Sequence, residues 1–103
     1  MRPRTIEWAA QARRDLFDVV DFLRSERPPA ARRFLDLLDR RLAQVARFPE
    51  SGRPIPEEQG PRGIDERPHR EVMVLGWRVG YVVAERITVL YLLHGARRFP
   101  PLR

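Results

Sequence analysis

The chain has 103 residues, which suits one domain with a modest core, and it contains no cysteine, which excludes disulfides and thiol catalysis. All 20 basic residues are arginine, and the formal net charge of +6 suits a nucleic acid or an acidic protein as partner without distinguishing between them. No apolar stretch approaches the roughly 20 residues of a membrane span, and no signal-peptide pattern opens the chain, so we expect one soluble, cytosolic domain over residues 1–103.

The N-terminal half predicts a short strand followed by two helices. Arg4–Trp8 alternates apolar and polar residues, which indicates a strand at the edge of a sheet. Apolar residues then recur at helical spacing from Ala9 to about Ser25 and again from Pro29 to about Phe48. The connection between them is short, so the sequence predicts an antiparallel helical hairpin. Its expected buried positions are Trp8, Ala12, Leu16, Val19, Val20 and Leu23, then Ala31, Phe34, Leu35, Leu38, Leu42 and Val45.

The next segment, Pro49–Pro68, carries five prolines and three glycines in 20 residues and has no periodicity. We interpret it as a loop that returns the chain to the sheet. A loop of this length in a small domain is often functional.

The C-terminal stretch Arg70–Arg98 is rich in β-branched and aromatic residues, which favours strands. Gly76 and the polar Glu85–Arg86 pair divide it into three antiparallel strands joined by tight turns, two of them at Trp77–Val83 and Ile87–His94. The predicted fold is α+β in the order β-α-α-β-β-β, with the helical hairpin packed on one face of a four-stranded, mainly antiparallel sheet.

The second face of this sheet is expected to be functional. Strict alternation places Arg78 on that face, together with Leu90, Leu92 and His94 of the last strand. Leu90 and Leu92 would then be exposed, and an exposed apolar patch rimmed by arginine predicts a protein partner.

The chain resembles the RelE/ParE superfamily of type II toxin–antitoxin toxins, and its ParE-like branch in particular. The residues that carry the resemblance are IEWAAQARRDLFDVVDFL (Ile6–Leu23), PPAARRF (Pro28–Phe34), FPESGRPIPE (Phe48–Glu57), REV (Arg70–Val72), WRVGYVV (Trp77–Val83) and HGARR (His94–Arg98). The resemblance implies a growth-inhibiting toxin held inactive by a cognate antitoxin, whose flexible acidic segment would wrap along the hairpin and sheet. The contacts expected for antitoxin or target are Arg78, Leu90, Leu92, His94, Arg97 and Arg98.

Two activities are implied by this superfamily. RelE-like members cleave mRNA on the ribosome without a metal. In this chain the resemblance would make Arg78 and Arg70 the cations that bind the phosphate, with Glu71 or Glu66 as the general base and His94 as the general acid. Structural alternatives stay open, because Glu71 could pair with Arg78 or Arg70, and His94 could cap its strand. ParE-like members instead bind DNA gyrase and stall it.

Two departures from the RelE pattern favour the gyrase-binding alternative. The chain has no lysine, and its last residues, Phe99–Arg103, contain no tyrosine or histidine. A third possibility is a degenerate orphan, or a domain that binds nucleic acid without catalysis. No cofactor is expected, and the two histidines are too far apart in sequence to suggest a metal site.

Overall fold

The computed structural model of the chain describes residues 2–56 and 67–95. Within these residues two helices and five strands follow one another, with a 3₁₀ turn between the second helix and the second strand. The elements are β1 (Ile6–Trp8), α1 (Ala10–Glu26), α2 (Pro28–Arg47), the 3₁₀ turn (Pro49–Ser51), β2 (Arg53–Ile55), β3 (His69–Val74), β4 (Trp77–Val83) and β5 (Ile87–His94). The predicted α+β class is confirmed, and the predicted elements occur in the predicted order, but the sheet has five strands where four were expected.

The helical hairpin forms where the sequence predicts it. Arg27 separates the two helices in an extended conformation (φ −158°, ψ 101°), because the residue before a proline is driven out of helical geometry. Pro28 and Pro29 then occupy the first turn of α2, where their missing N–H groups cost nothing.

The sheet has the strand order β1-β5-β4-β3-β2. β3, β4 and β5 form the predicted antiparallel meander, and β1 lies at one edge, parallel to β5. The fifth strand, β2, lies at the other edge in the segment that the sequence presents as a loop. It is only three residues long and contains Pro54, which a sheet tolerates at an edge. Residues 57–66 of the predicted loop lie outside the described residues.

The main core fills the space between the hairpin and the sheet. It contains Ala12, Val19, Phe34, Leu38, Leu42, Val45, Val72, Val74, Val79, Tyr81, Ile87, Val89 and Leu92. Leu35 was expected in it, yet the structure leaves this side chain 40% exposed, so that prediction is wrong. Within the described residues, no helix is both long and apolar enough to cross a membrane.

A β-bulge in β5 decides which side chains face the helices. Gly80 pairs with Tyr91 but Tyr81 pairs with Val89, so Leu90 is an extra residue without a partner in β4. Beyond the bulge, every side chain of β5 points to the face opposite to the one that simple alternation predicts. The bulge therefore moves Leu92 and His94 to the helix side of the sheet.

Candidate functional site

The face of the sheet away from the helices carries a line of three residues in register. Glu71 of β3 pairs with Gly80 of β4, and Gly80 pairs with Tyr91 of β5. The Tyr91 ring lies directly over Gly80, where an added Cβ would fall 2.6 Å from the phenol oxygen and closer still to the ring carbons. Glycine is thus required here because the tyrosine must cross β4 to reach the glutamate.

The Glu71 carboxylate is the centre of a buried polar network. Arg78 donates from Nε to Oε1 (2.9 Å) and from Nη2 to Oε2 (2.7 Å), which is a bidentate pair. The Tyr91 hydroxyl donates to Oε2, and Arg53 lies further away, with its Nη2 3.5 Å from Oε1. The Glu71 side chain is 2% exposed and that of Arg78 is 15% exposed, so the pair is shielded from water.

The pKa values in the network follow from these contacts. Burial by itself would raise the pKa of Glu71, but the hydrogen bonds from Arg78 and Tyr91 and the charges of Arg78 and Arg53 outweigh it, and the pKa lies below its usual value. The hydrogen bond to Glu71 raises the pKa of Arg78. Burial, followed by the hydrogen bond to Glu71, raises the pKa of Tyr91, which therefore keeps its proton as a donor. The site holds an ionised carboxylate that is satisfied by its neighbours.

Arg70 and Tyr81 lie on the helix side and hold the segment before β2. Arg70 Nη1 donates to the carbonyl oxygens of Gly52 (2.8 Å) and Glu50 (3.3 Å). The Tyr81 hydroxyl donates to Pro49 O (2.7 Å) and accepts from Gly52 N (3.0 Å). Burial of its ring raises the pKa of Tyr81. Both side chains tie the 3₁₀ turn to the sheet.

His94 lies on the other face of the sheet from Arg78. Its cross-strand partner is Trp77, and the two rings meet edge to face with their centroids 5.2 Å apart. Cross-strand partners share one face, whereas Arg78 is the residue next to Trp77 and points the opposite way. The structure therefore does not bring Arg78 and His94 together.

The Trp77–His94 pair forms one wall of a cavity of about 380 Å³ between α1 and the ends of β4 and β5. Asp15, Asp18 and Phe22 of α1 form the opposite wall. Asp15 also supports β5. The Leu92 N–H, which lies past the end of β1, donates a hydrogen bond of 3.0 Å to Asp15 Oδ2. This cavity combines two carboxylates with aromatic surface.

The expected apolar patch at Leu90 and Leu92 is a wrong prediction. Leu92 is 4% exposed and belongs to the main core under the helices. Leu90 is 3% exposed and packs in a second cluster with Val82 and Tyr91. The cause is the bulge, which the alternation argument did not include. The remaining candidates Glu66, Arg97 and Arg98 lie outside the described residues.

Of the residues proposed for a nuclease, the structure brings Glu71 and Arg78 together. They form an ion pair, which was the alternative to a catalytic role for Glu71. Arg70 lies on the other face and contacts the 3₁₀ turn instead. Tyr91, Arg53 and Asp15 were missed. Gly80 was the sequence signal for the position of Tyr91, because an isolated glycine inside a strand pattern indicates a bulge or a close approach of another group to the backbone. Among the described residues, no group of three or more His, Asp or Glu could hold a metal ion.

The fold and the site define a small α+β domain with a helical hairpin on one face of a mixed sheet and a closed polar network on the other. The sequence model of the ParE toxin of the type II toxin–antitoxin system parDE matches residues 6–99. The chain belongs to this ParE toxin family. A comparison with curated protein sequences finds no match.

Proposed function

We propose that the chain is a type II toxin that inhibits DNA gyrase by binding to it, and that a cognate acidic antitoxin neutralises it. Membership of the ParE toxin family supports the toxin class. The observation that favours binding over RNA cleavage is the placement of Arg78, which is paired with a buried carboxylate, while His94 lies on the other side of the sheet.

A ribonuclease site of the expected kind needs a cation on the phosphate and an acid close to the leaving oxygen. Arg78 would have to leave Glu71 to serve as that cation, and this would strand a buried carboxylate. His94 could not act on the same phosphate, because the sheet lies between the two side chains. The geometry of the described residues thus gives no support to the catalytic set Arg78, Arg70, Glu71 and His94.

The antitoxin is expected to dock where α1 meets β5. β1 ends at Trp8, opposite Val89, so no described strand pairs with the Leu90–His94 part of β5 on that side. The adjacent cavity gives an entering segment a place for a side chain. The net charge of +6 also favours a partner that is acidic across the rest of the interface.

A supercoiling assay with purified chain and purified gyrase tests the target. We expect supercoiling to fall as the chain is added at micromolar concentration, and we expect the antitoxin encoded beside the gene to restore it. Unaffected supercoiling at micromolar toxin would refute the gyrase proposal.

Arg97 and Arg98 remain predicted target contacts. A double Arg97→Ala, Arg98→Ala variant should inhibit gyrase about tenfold less, the loss expected when binding weakens by 1.4 kcal/mol. The matched control is Arg32→Ala, Arg40→Ala, which removes the same charge from exposed positions of α2. Equal inhibition by the two double variants would place the target contacts elsewhere.

The ribonuclease alternative is tested in parallel by adding the chain to a translating extract and following the mRNA. We expect intact mRNA. Cleavage that disappears in Arg78→Ala or His94→Ala would overturn the binding proposal and establish the alternative.

A further inference from the structure

The cavity between α1 and β5 is an acidic site on a basic protein. Asp15 and Asp18 lie one turn apart on α1 and both line it, although the chain as a whole carries a net charge of +6. An entirely acidic partner segment would meet repulsion at this position. The cavity therefore favours a positively charged side chain, even if the rest of the expected partner is acidic.

The walls of the cavity define that occupant further. Trp77 and Phe22 supply aromatic surface, and Phe22 is 53% exposed although it is a large apolar residue. The cavity volume of about 380 Å³ lies within the range of sites that enclose a small ligand or a side chain. Aromatic surface beside carboxylates attracts a cation, and a planar guanidinium can stack on a ring while it donates to a carboxylate.

The Asp15 carboxylate is held in place before any partner arrives. Its Oδ1 accepts from Gln11 Nε2 at 2.8 Å and its Oδ2 accepts from the Leu92 N–H at 3.0 Å. A carboxylate has about four acceptor positions, so both oxygens keep capacity for a further donor. Asp18 is exposed at the cavity and can turn towards an incoming group.

We propose that this cavity binds an arginine side chain of the antitoxin segment, held between the Asp15–Asp18 carboxylates and the Trp77–Phe22 surface. The inference rests on the proposed function for the identity of the chain that carries the arginine. The chemistry of the cavity itself can be tested without an antitoxin.

The first experiment is an NMR titration of the labelled full chain with N-acetyl-arginine methylamide. The chain has two tryptophans, so the Trp77 indole signal reports on the cavity and the Trp8 indole signal is an internal control. We expect Trp77 to shift with a dissociation constant of the order of millimolar, as suits one side chain, while Trp8 does not move.

Two controls isolate the charge. The neutral citrulline analogue has nearly the same shape and should bind at least about threefold more weakly. Asp18→Asn should weaken arginine binding to a similar extent, whereas Asp21→Asn, at another exposed position of α1, should not. An unmoved Trp77 signal, equal binding of citrulline, or equal effects of the two variants would overturn the proposal.

The second experiment measures by calorimetry the affinity of the antitoxin encoded beside the gene. Asp18→Arg should weaken binding about tenfold or more, and Asp21→Arg, with the same charge change, should leave it within about twofold. Equal losses in both variants would exclude the cavity as the arginine site. If no antitoxin binds the unmodified chain, the proposed function fails, while the titration still decides the chemistry of the cavity.

Discussion

Gly80 is the position at which a single methyl group should do most damage to the polar network. In Gly80→Ala the new methyl would fall 2.6 Å from the Tyr91 hydroxyl oxygen and would overlap the ring. The tyrosine must then move, and its hydrogen bond to Glu71 is lost because the ring reaches the carboxylate only by crossing β4 at this glycine.

The expected cost adds two effects. Overpacking of a well-filled site costs about 1–3 kcal/mol, and a lost hydrogen bond to a charged group costs about 1.5–3 kcal/mol. We therefore expect Gly80→Ala to lower the free energy of unfolding by about 2.5–6 kcal/mol, out of a total of about 5–15 kcal/mol for a domain of ordinary stability. At about 4–5 °C per kcal/mol for a domain of about 100 residues, the corresponding fall in melting temperature is about 10–30 °C.

Urea unfolding followed by tryptophan fluorescence measures the loss, and a double-mutant cycle with Tyr91→Leu assigns its cause. Leucine lacks the ring carbons and hydroxyl that the new methyl would meet, so Gly80→Ala should cost less than about 1 kcal/mol in that background. Gly76→Ala is the control, because its surroundings are open and its cost comes from a φ of +84° alone. Its cost of about 1–2 kcal/mol should be the same with either residue at position 91. A Gly80→Ala cost that is small, or that is unchanged by Tyr91→Leu, would refute the reasoning.

Two further substitutions test the network and the turn. The pKa of Glu71 is lowered in the folded state, so the ionised carboxylate stabilises the fold above about pH 4.5, and this stabilisation is lost as the pH falls through the folded-state pKa. Glu71→Gln should therefore lower the free energy of unfolding by about 2–3 kcal/mol at pH 7 and should flatten the decline of stability in acid. Parallel acid profiles for the two proteins in urea unfolding would contradict this. Tyr81→Phe removes both hydrogen bonds to the 3₁₀ turn and should cost about 1–3 kcal/mol, with faster hydrogen exchange at the Gly52 amide. Unchanged exchange at Gly52 would show that the turn does not depend on the hydroxyl.

The element order could be predicted because each element carries its own local signal. The helical spacing, the Pro28–Pro29 pair and the β-branched runs all act within a few residues. β4 and β5 have the predicted bounds for the same reason. β2 could not be found this way, because three residues are too few to show alternation and Pro54 argues against a strand except at an edge.

The site was harder to predict because it depends on register. Alternation is a reliable guide only while the strand keeps its period of two, and the extra residue Leu90 changes it. That single insertion moves Leu92 into the core and His94 to the helix side. It also places Tyr91 on the same face of the sheet as Glu71, a contact that the sequence alone did not predict. The ion pair between Glu71 and Arg78 was foreseeable, since both lie within cross-strand reach of each other.

The closed network also bears on how such a toxin could act. A cation that binds phosphate during catalysis must be available to it, but Arg78 already meets the two oxygens of a carboxylate that is 2% exposed. Releasing Arg78 would leave that carboxylate buried and unpaired, at a cost of about 3–5 kcal/mol that phosphate binding would have to offset. The same contacts, however, hold β3, β4 and β5 in one register, and that register places Trp77 and His94 beside α1. The network is thus better suited to keep a surface rigid than to take part in chemistry, which supports the proposal that the chain acts by binding.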